Sequence, residues 1–272
     1  MKKNKTKQNM FIKGYKSSYN LLKKSKLHVL IAVSTMLLAI TVGFIFPQLF
    51  EEQVLKIIQG MLYELEGKNT TELITFIFIN NTKASLFGMI LGIFLGIFPL
   101  ITGIINGYVI GFTVNIAINT EGIFILWKLL PHGIFELPAV FLSLGIGLYL
   151  GDRFLERFFK IKSEIKRIVI MCFSTIALIP IAGFYYVWSL DIIEVQKIGF
   201  SSLSNPTLPL AIAIGIINLA LIGGFIFVFV QFLKDKILRK DLMDAIIFFL
   251  LITLPLLIIA AIIEGYLIKV VG

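Results

Sequence analysis

Long apolar runs separated by short charged blocks organise this chain. The first runs from His28 to Pro47, and others follow from Lys166 to Trp188, Thr207 to Leu233 and Ala245 to Ile268. Each reaches the roughly 20 apolar residues a helix needs to cross a hydrocarbon core about 30 Å thick. The stretch 84–118 is also apolar, but its 35 residues at about 1.5 Å rise give about 52 Å, too long for one span. Pro99 and the pair Thr102-Gly103 predict a break near its middle, and so a hairpin of two short spans, 84–101 and 103–118. A further short span, 131–151, is interrupted by Pro138. The pattern predicts an all-α fold, a polytopic transmembrane helical bundle of about seven spans, or six if 84–118 is one bent helix.

Charge favours seven. Residues 1–27 carry nine lysines and no acid; residues 151–167 carry six basic and three acidic groups; residues 234–244 carry four and three. These segments hold 19 of the 25 lysines and arginines, and with seven spans all three fall on one side. By the positive-inside rule that side is cytoplasmic, with the N-terminus inside and the C-terminus outside. The opposite side is net acidic, including the outer segment 49–83, whose pattern at Val54, Leu55, Ile57, Ile58, Met61 and Leu62 predicts an amphipathic helix that docks or lies flat on the bilayer. Two regions follow: a basic cytoplasmic or interfacial segment, 1–27, and a single transmembrane domain, 28–272, with spans near 28–47, 84–101, 103–118, 131–151, 166–188, 207–233 and 245–268. Residues 10–27 mix Met10, Phe11, Ile12, Tyr15, Tyr19, Leu21 and Leu22 with lysines, which suits either an interfacial helix on an anionic leaflet or a solvated basic tail. The basic region before the first apolar run is too long for a cleavable signal, so that run reads as a retained span.

Composition agrees. With 58% hydrophobic residues, 15% charged residues and a mean hydropathy of +0.95, the chain has too little charge to cover a soluble core. The net charge of +9 lies in blocks between spans, so it is a topology signal and implies no nucleic acid. Cys172 is the one cysteine, which leaves no disulfide framework or thiolate metal cluster within the chain. No P-loop, G-x-S-x-G elbow or G-x-G-x-x-G is present. The expectation is no enzyme, no catalytic residue, no cofactor and no metal.

Small residues recur every four positions. Ala84, Gly88, Gly92 and Gly96 form one row, Gly103, Gly107 and Gly111 a second, and Ser143, Gly147 and Gly151 a third. That spacing puts them on one helix face, where backbones approach closely and gain van der Waals contact that lipid does not supply. The quarter of the chain from 84 to 151 is therefore the expected packed core.

Ionisable groups inside hydrocarbon cost about 2.5 kcal/mol or more, so each needs a reason. Two carboxylates fall inside predicted spans, Glu136 and Glu264, and His132 lies one helical turn before Glu136. Both acids sit near the outer ends of their helices, at a level shared by Asn81, Asn115 and Asn119. These six residues are the expected outer-leaflet polar cluster.

The segments NNTKASLFGMILGIFLGIFPLITGIINGYVIG, LLPHGIFELPAVFLSLGIG and AAIIEGYL resemble the stage II sporulation protein M family of integral membrane proteins. The likeness covers about 84–151 and the last dozen residues; Asn81, Gly88, Gly92, Pro99, Asn106, Gly107, Gly111, Pro131, His132, Gly133, Glu136, Pro138, Glu264 and Gly265 carry it. The resemblance implies a polytopic, non-catalytic membrane protein. The family's sporulation member looks like a scaffold that holds two cell-wall-degrading partners at the membrane, and the role of many relatives is unknown.

Three functions compete at this stage. The leading one is a scaffold or assembly subunit of a cell-envelope complex in the cell membrane, partnered by lipid and by other membrane or envelope proteins, with a homo-oligomer among the open assemblies. The second is a transporter or channel component with an outer-leaflet proton or cation site. The third is an intramembrane metallohydrolase.

Overall fold

The computed structural model describes residues 2–178, 223–224 and 226–271, and the regular elements among them are all helical. They are α1 (Lys2–Lys24), α2 (Lys26–Ile45), α3 (Glu51–Leu65), α4 (Thr70–Ile90), α5 (Ile97–Glu121), α6 (Leu126–Phe158), α7 (164–178), α8 (226–234), α9 (Lys236–Phe248) and α10 (Leu254–Val271). Among the described residues five helical stretches are long and apolar enough to cross a membrane: Lys26–Ile45, Thr70–Ile93, Ile97–Glu121, Gly133–Phe158 and Lys236–Leu267. The expected span at 207–233 and the second half of 166–188 lie largely outside the described residues.

The expected hairpin at 84–118 exists, but its break lies elsewhere. Phe94–Gly96 makes the turn, with Leu95 at φ 55° and Gly96 at φ 68° in the left-handed region that glycine adopts freely. Pro99 sits in the first turn of α5, where its missing N–H leaves no bond unmade, and Thr102-Gly103 runs on as helix. The first arm also begins 14 residues earlier than 84, at Thr70. There the Asn69 side chain accepts the Glu72 amide at 3.0 Å, and Glu72 Oε2 accepts the Asn69 amide at 2.8 Å. This reciprocal cap satisfies two otherwise free donors and starts a helix within what hydropathy alone reads as a loop.

Pro138 does not interrupt the next span: α6 is one helix of 33 residues. The proline removes a single ladder bond on an exposed face, and packing on α4, α5 and α10 holds the helix on both sides of it. The outer segment 49–83 is not a loop either. In α3, Val54 is buried and Leu55 and Ile58 pack against Tyr108 and Phe112 of α5, so this helix docks on its own bundle. The Tyr108 hydroxyl donates towards the Phe46 and Pro47 carbonyls at 2.8 and 3.0 Å and accepts the Phe50 amide at 3.3 Å, which pins the turn between α2 and α3.

Glycine rows set the packing. Gly107 meets the Met36 carbonyl and Gly111 the Ile40 carbonyl, so α2 and α5 run parallel in close contact. Gly92 lies against the backbone of Gly147, and Gly147 lies against Gly88 and Met89, so α4 and α6 are also a parallel pair. Gly88 and Gly103 flank Leu144, and Gly96 flanks Met171. All seven glycines expected to pack helices meet neighbouring helices, in the small-residue mode of membrane interfaces.

The α9 and α10 helices form one continuous rod, Lys236 to Val271, joined by a π-turn at Phe249–Thr253. At about 1.5 Å rise this rod is on the order of 54 Å long, far more than a bilayer core. Its first turns carry Lys236, Arg239, Lys240, Asp241 and Asp244, so this end stands beyond the hydrocarbon. The α1 helix packs there, antiparallel to α9, with Leu21 buried and Ser17 donating to Asp244 Oδ1 at 2.6 Å.

Candidate polar sites at the two ends of the bundle

Two polar assemblies sit at opposite ends of the bundle. The first is the seam of α4, α6 and α10 towards the C-terminal end of α10. Ser143 donates to Thr253 Oγ1 at 3.4 Å, both fully buried, and fixes the antiparallel register of α6 against α10. Eleven residues along each helix from this pair bring Glu264 level with position 132. Glu136 lies two turns from Ser143, and Glu264 three turns from Thr253, each on the same helix face as its hydroxyl. Both acids are therefore turned to the α6–α10 seam, and Glu136 is the ionisable group that acts electrostatically on Glu264. Among the described residues neither carboxylate has a hydrogen-bond partner. Gly265 meets Ile74, which brings α4 to the same level.

The other four residues of the expected cluster divide. Asn81 is half-buried on the α4 face that carries Ile74 and Gly88; the Gly88–Leu144 and Gly92–Gly147 contacts put it level with Glu136, and about two turns deeper than Glu264. Position 132 is at the right level, but the His132 side chain lies outside the described residues. Asn115 and Asn119 belong elsewhere: Asn115 donates to the Phe44 carbonyl at 2.9 Å and Asn119 donates to Asn115 Oδ1 at 3.0 Å. Asn115 thereby satisfies one of the last carbonyls of α2, groups that every helix end leaves open, and Asn119 holds the Asn115 side chain. Among the described residues no three potential metal ligands converge.

The second assembly, at the opposite end, went unread in the sequence. Asp152 and Arg167 form a bidentate pair at 2.6 and 2.9 Å, both buried, and Arg167 also donates to the Ile161 and Lys162 carbonyls at 2.9 Å each. One arginine thereby closes the α6–α7 turn. His28 of α2 is 1% exposed, with Nε2 3.6 Å from Asp152 Oδ2 and its ring edge-on to Tyr149 at 5.7 Å. Arg153 bonds Asp241 of α9 at 3.1 Å and also Glu156, and Arg157 bonds Asp235 at 2.8 Å. The network ties α2, α6, α7 and α9 together. Its signal was present in the sequence: Asp152, Asp235, Asp241 and Asp244 are acids placed inside strongly basic segments.

Asp235 also caps α9, accepting the Ile237 and Leu238 amides at 2.8 and 3.1 Å. Burial pushes its carboxyl up, but the bonds from Arg157 and these amides outweigh that and hold it below the usual carboxylate range. Its contribution is therefore complete above the unfolded value of about 3.9 and is lost as pH falls through the lower folded value. Asp235→Ala should cost about 1 kcal/mol at neutral pH and clearly less near pH 3. Thermal unfolding in detergent at the two pH values checks this; an equal cost at both would show that ionisation of Asp235 contributes nothing.

A helical bundle with five membrane-length apolar helices, interlocked at glycines and carrying carboxylates within two of its spans, is a polytopic integral membrane protein. Residues 28–185 match the family model described as stage II sporulation protein M. The match covers more than half of the chain, which belongs to that family. No curated protein and no solved structure matches it.

Proposed function

We propose that the protein is a non-catalytic scaffold or assembly subunit of a cell-envelope complex, with its basic N-terminal end in the cytoplasm and its C-terminus outside. The observation that carries this reading is the build of the core. Backbone meets backbone at Gly92, Gly107, Gly111 and Gly147, and the ion network clamps the other end, so the described helices form a rigid platform. A platform of this kind presents fixed surfaces on both sides of the membrane without needing to move. The role implied by the family resemblance, holding envelope partners at the membrane, is of the same kind.

The two acids, without a hydrogen-bond partner among the described residues, favour one second reading, a proton- or cation-coupled transport component with Glu136 and Glu264 as its site. Reconstitution separates the two. As a scaffold, the protein should give no proton or cation flux above empty liposomes, measured with an entrapped pH-sensitive dye and with cation-selective electrodes, and should co-purify stoichiometrically with envelope proteins after crosslinking in cells. Glu136→Gln and Glu264→Gln should leave both results unchanged. Flux that Glu136→Gln abolishes would replace the scaffold reading with the transport one.

A further inference from the structure

Where α1 meets α2, a cleft of about 310 Å³ is lined by Tyr19, Leu22, Lys23, Lys26 and Val29. We propose that it binds the headgroup of an anionic phospholipid from the adjoining leaflet. This inference goes beyond the scaffold reading and does not depend on it.

Three observations converge on that occupant. The first is depth. Lys26 opens the first membrane-length helix, and Val29, one turn on, packs against Gly145 inside the bundle, so the cleft lies where hydrocarbon gives way to headgroups. The second is the division of α1 into faces. Gly14, Ser17 and Leu21 turn to α9, where Gly14 meets Leu251 and Ser17 bonds Asp244. Phe11, Ile12, Tyr15 and Tyr19 form a separate stripe, all more than half exposed. Lys16 and Lys23 border that stripe at helical spacing. An apolar stripe edged by lysines is the composition of a helix face that meets anionic lipid.

The third is the chemistry of the lining. Lys23 and Lys26 are exposed, and among the described residues no carboxylate lines the cleft. Two ammonium groups and a phenolic hydroxyl match a phosphodiester, whereas Leu22 and Val29 offer apolar contact for the glycerol backbone and first methylenes. A soluble phosphate would use the cations and leave the apolar floor unused. The surrounding bilayer also supplies lipid at very high local concentration.

The test uses full-length protein in nanodiscs of equal phosphatidylglycerol and phosphatidylcholine, with retained lipid counted by native mass spectrometry after extraction. Phosphatidylglycerol should be retained in preference. Each lysine near the surface contributes about fivefold, so Lys23→Gln with Lys26→Gln should cut the preference roughly 25-fold. Lys23→Arg with Lys26→Arg should keep it, and Tyr19→Phe should weaken it. Lys68→Gln with Lys83→Gln, which removes the same charge from the cleft between α3 and α4, should leave it intact. Equal loss in both glutamine doubles, or no loss in the first, would overturn the proposal, as would displacement of the lipid by millimolar inorganic phosphate. Should the first double fail to assemble, the arginine and Tyr19 variants decide the question.

Discussion

Asp152→Ala is expected to destabilise the bundle by about 3–5 kcal/mol, because it leaves the Arg167 guanidinium buried without its counter-ion. Arg167 is 6% exposed and Asp152 3%, so solvent replaces the lost pairing poorly. Against a typical total stability of about 5–15 kcal/mol, that is a large fraction. Arg167→Lys should not preserve the wild-type value: an ammonium cannot make two bonds to one carboxylate while also donating to the Ile161 and Lys162 carbonyls. Replacing both partners, Asp152→Ala with Arg167→Met, should cost less than Asp152→Ala alone, since no unpaired charge remains. Thermal unfolding in mild detergent, followed by helical circular dichroism, measures all three. A single Asp152→Ala variant as stable as wild type would show that this pair does not clamp α6 to α7.

The glycine contacts should give the largest losses of all. A Cβ at Gly92 would coincide with the Gly147 carbonyl, and one at Gly111 with the Ile40 carbonyl. Neither obstacle is a flexible side chain, so the paired helices must separate along their whole contact. Overpacking of an ordinary core costs about 1–3 kcal/mol, and displacing a helix backbone exceeds that range. Gly92→Leu and Gly111→Leu should therefore fail to assemble, read as loss of the monodisperse peak in size-exclusion chromatography. Two controls fix the scale. Gly103→Ala meets only Leu144 Cδ1, at 3.5 Å, and should be tolerated. Gly60→Ala, in open space within α3, should stabilise by about 0.5–1 kcal/mol through helix propensity. Normal assembly of Gly92→Leu would mean that α4 and α6 do not meet at these residues.

The sequence showed what depends on repetition and missed what depends on single contacts. Four-residue spacing marked Gly88, Gly92, Gly103, Gly107, Gly111 and Gly147, and each meets a neighbouring helix, because small-residue periodicity has few other causes in a lipid-embedded helix. Span direction alone put Glu136 and Glu264 in the same half of the bundle; the Ser143–Thr253 register sets them about one turn apart in depth. Hydropathy failed at α4, where Asn80-Asn81-Thr82-Lys83 splits an otherwise apolar helix, while the Asn69–Glu72 cap marks its true start. It failed again at Pro99 and Pro138, because a proline breaks a helix only where an N–H is needed and neighbouring packing is weak. Asn115 and Asn119 were grouped with the acids by level, which says nothing about direction; both face the end of α2. The Asp152–Arg167 network went unseen because charge was counted by segment, and a sum of signs conceals which acid meets which base.

The π-turn at Phe249–Thr253 has a consequence for the whole length of the rod. A π-turn takes up one more residue than an α-turn and so rotates everything beyond it by about 100° relative to an unbroken helix. Below it, Asp241 and Asp244 must face Arg153 and Ser17; its last residue, Thr253, and Glu264 beyond it must face α6. An uninterrupted α-helix could meet one of these requirements but not both. The extra residue acts as a phase corrector between the two ends of the molecule, so the electrostatic clamp at one end and the two acids towards the other are geared to each other through five residues that carry no charge.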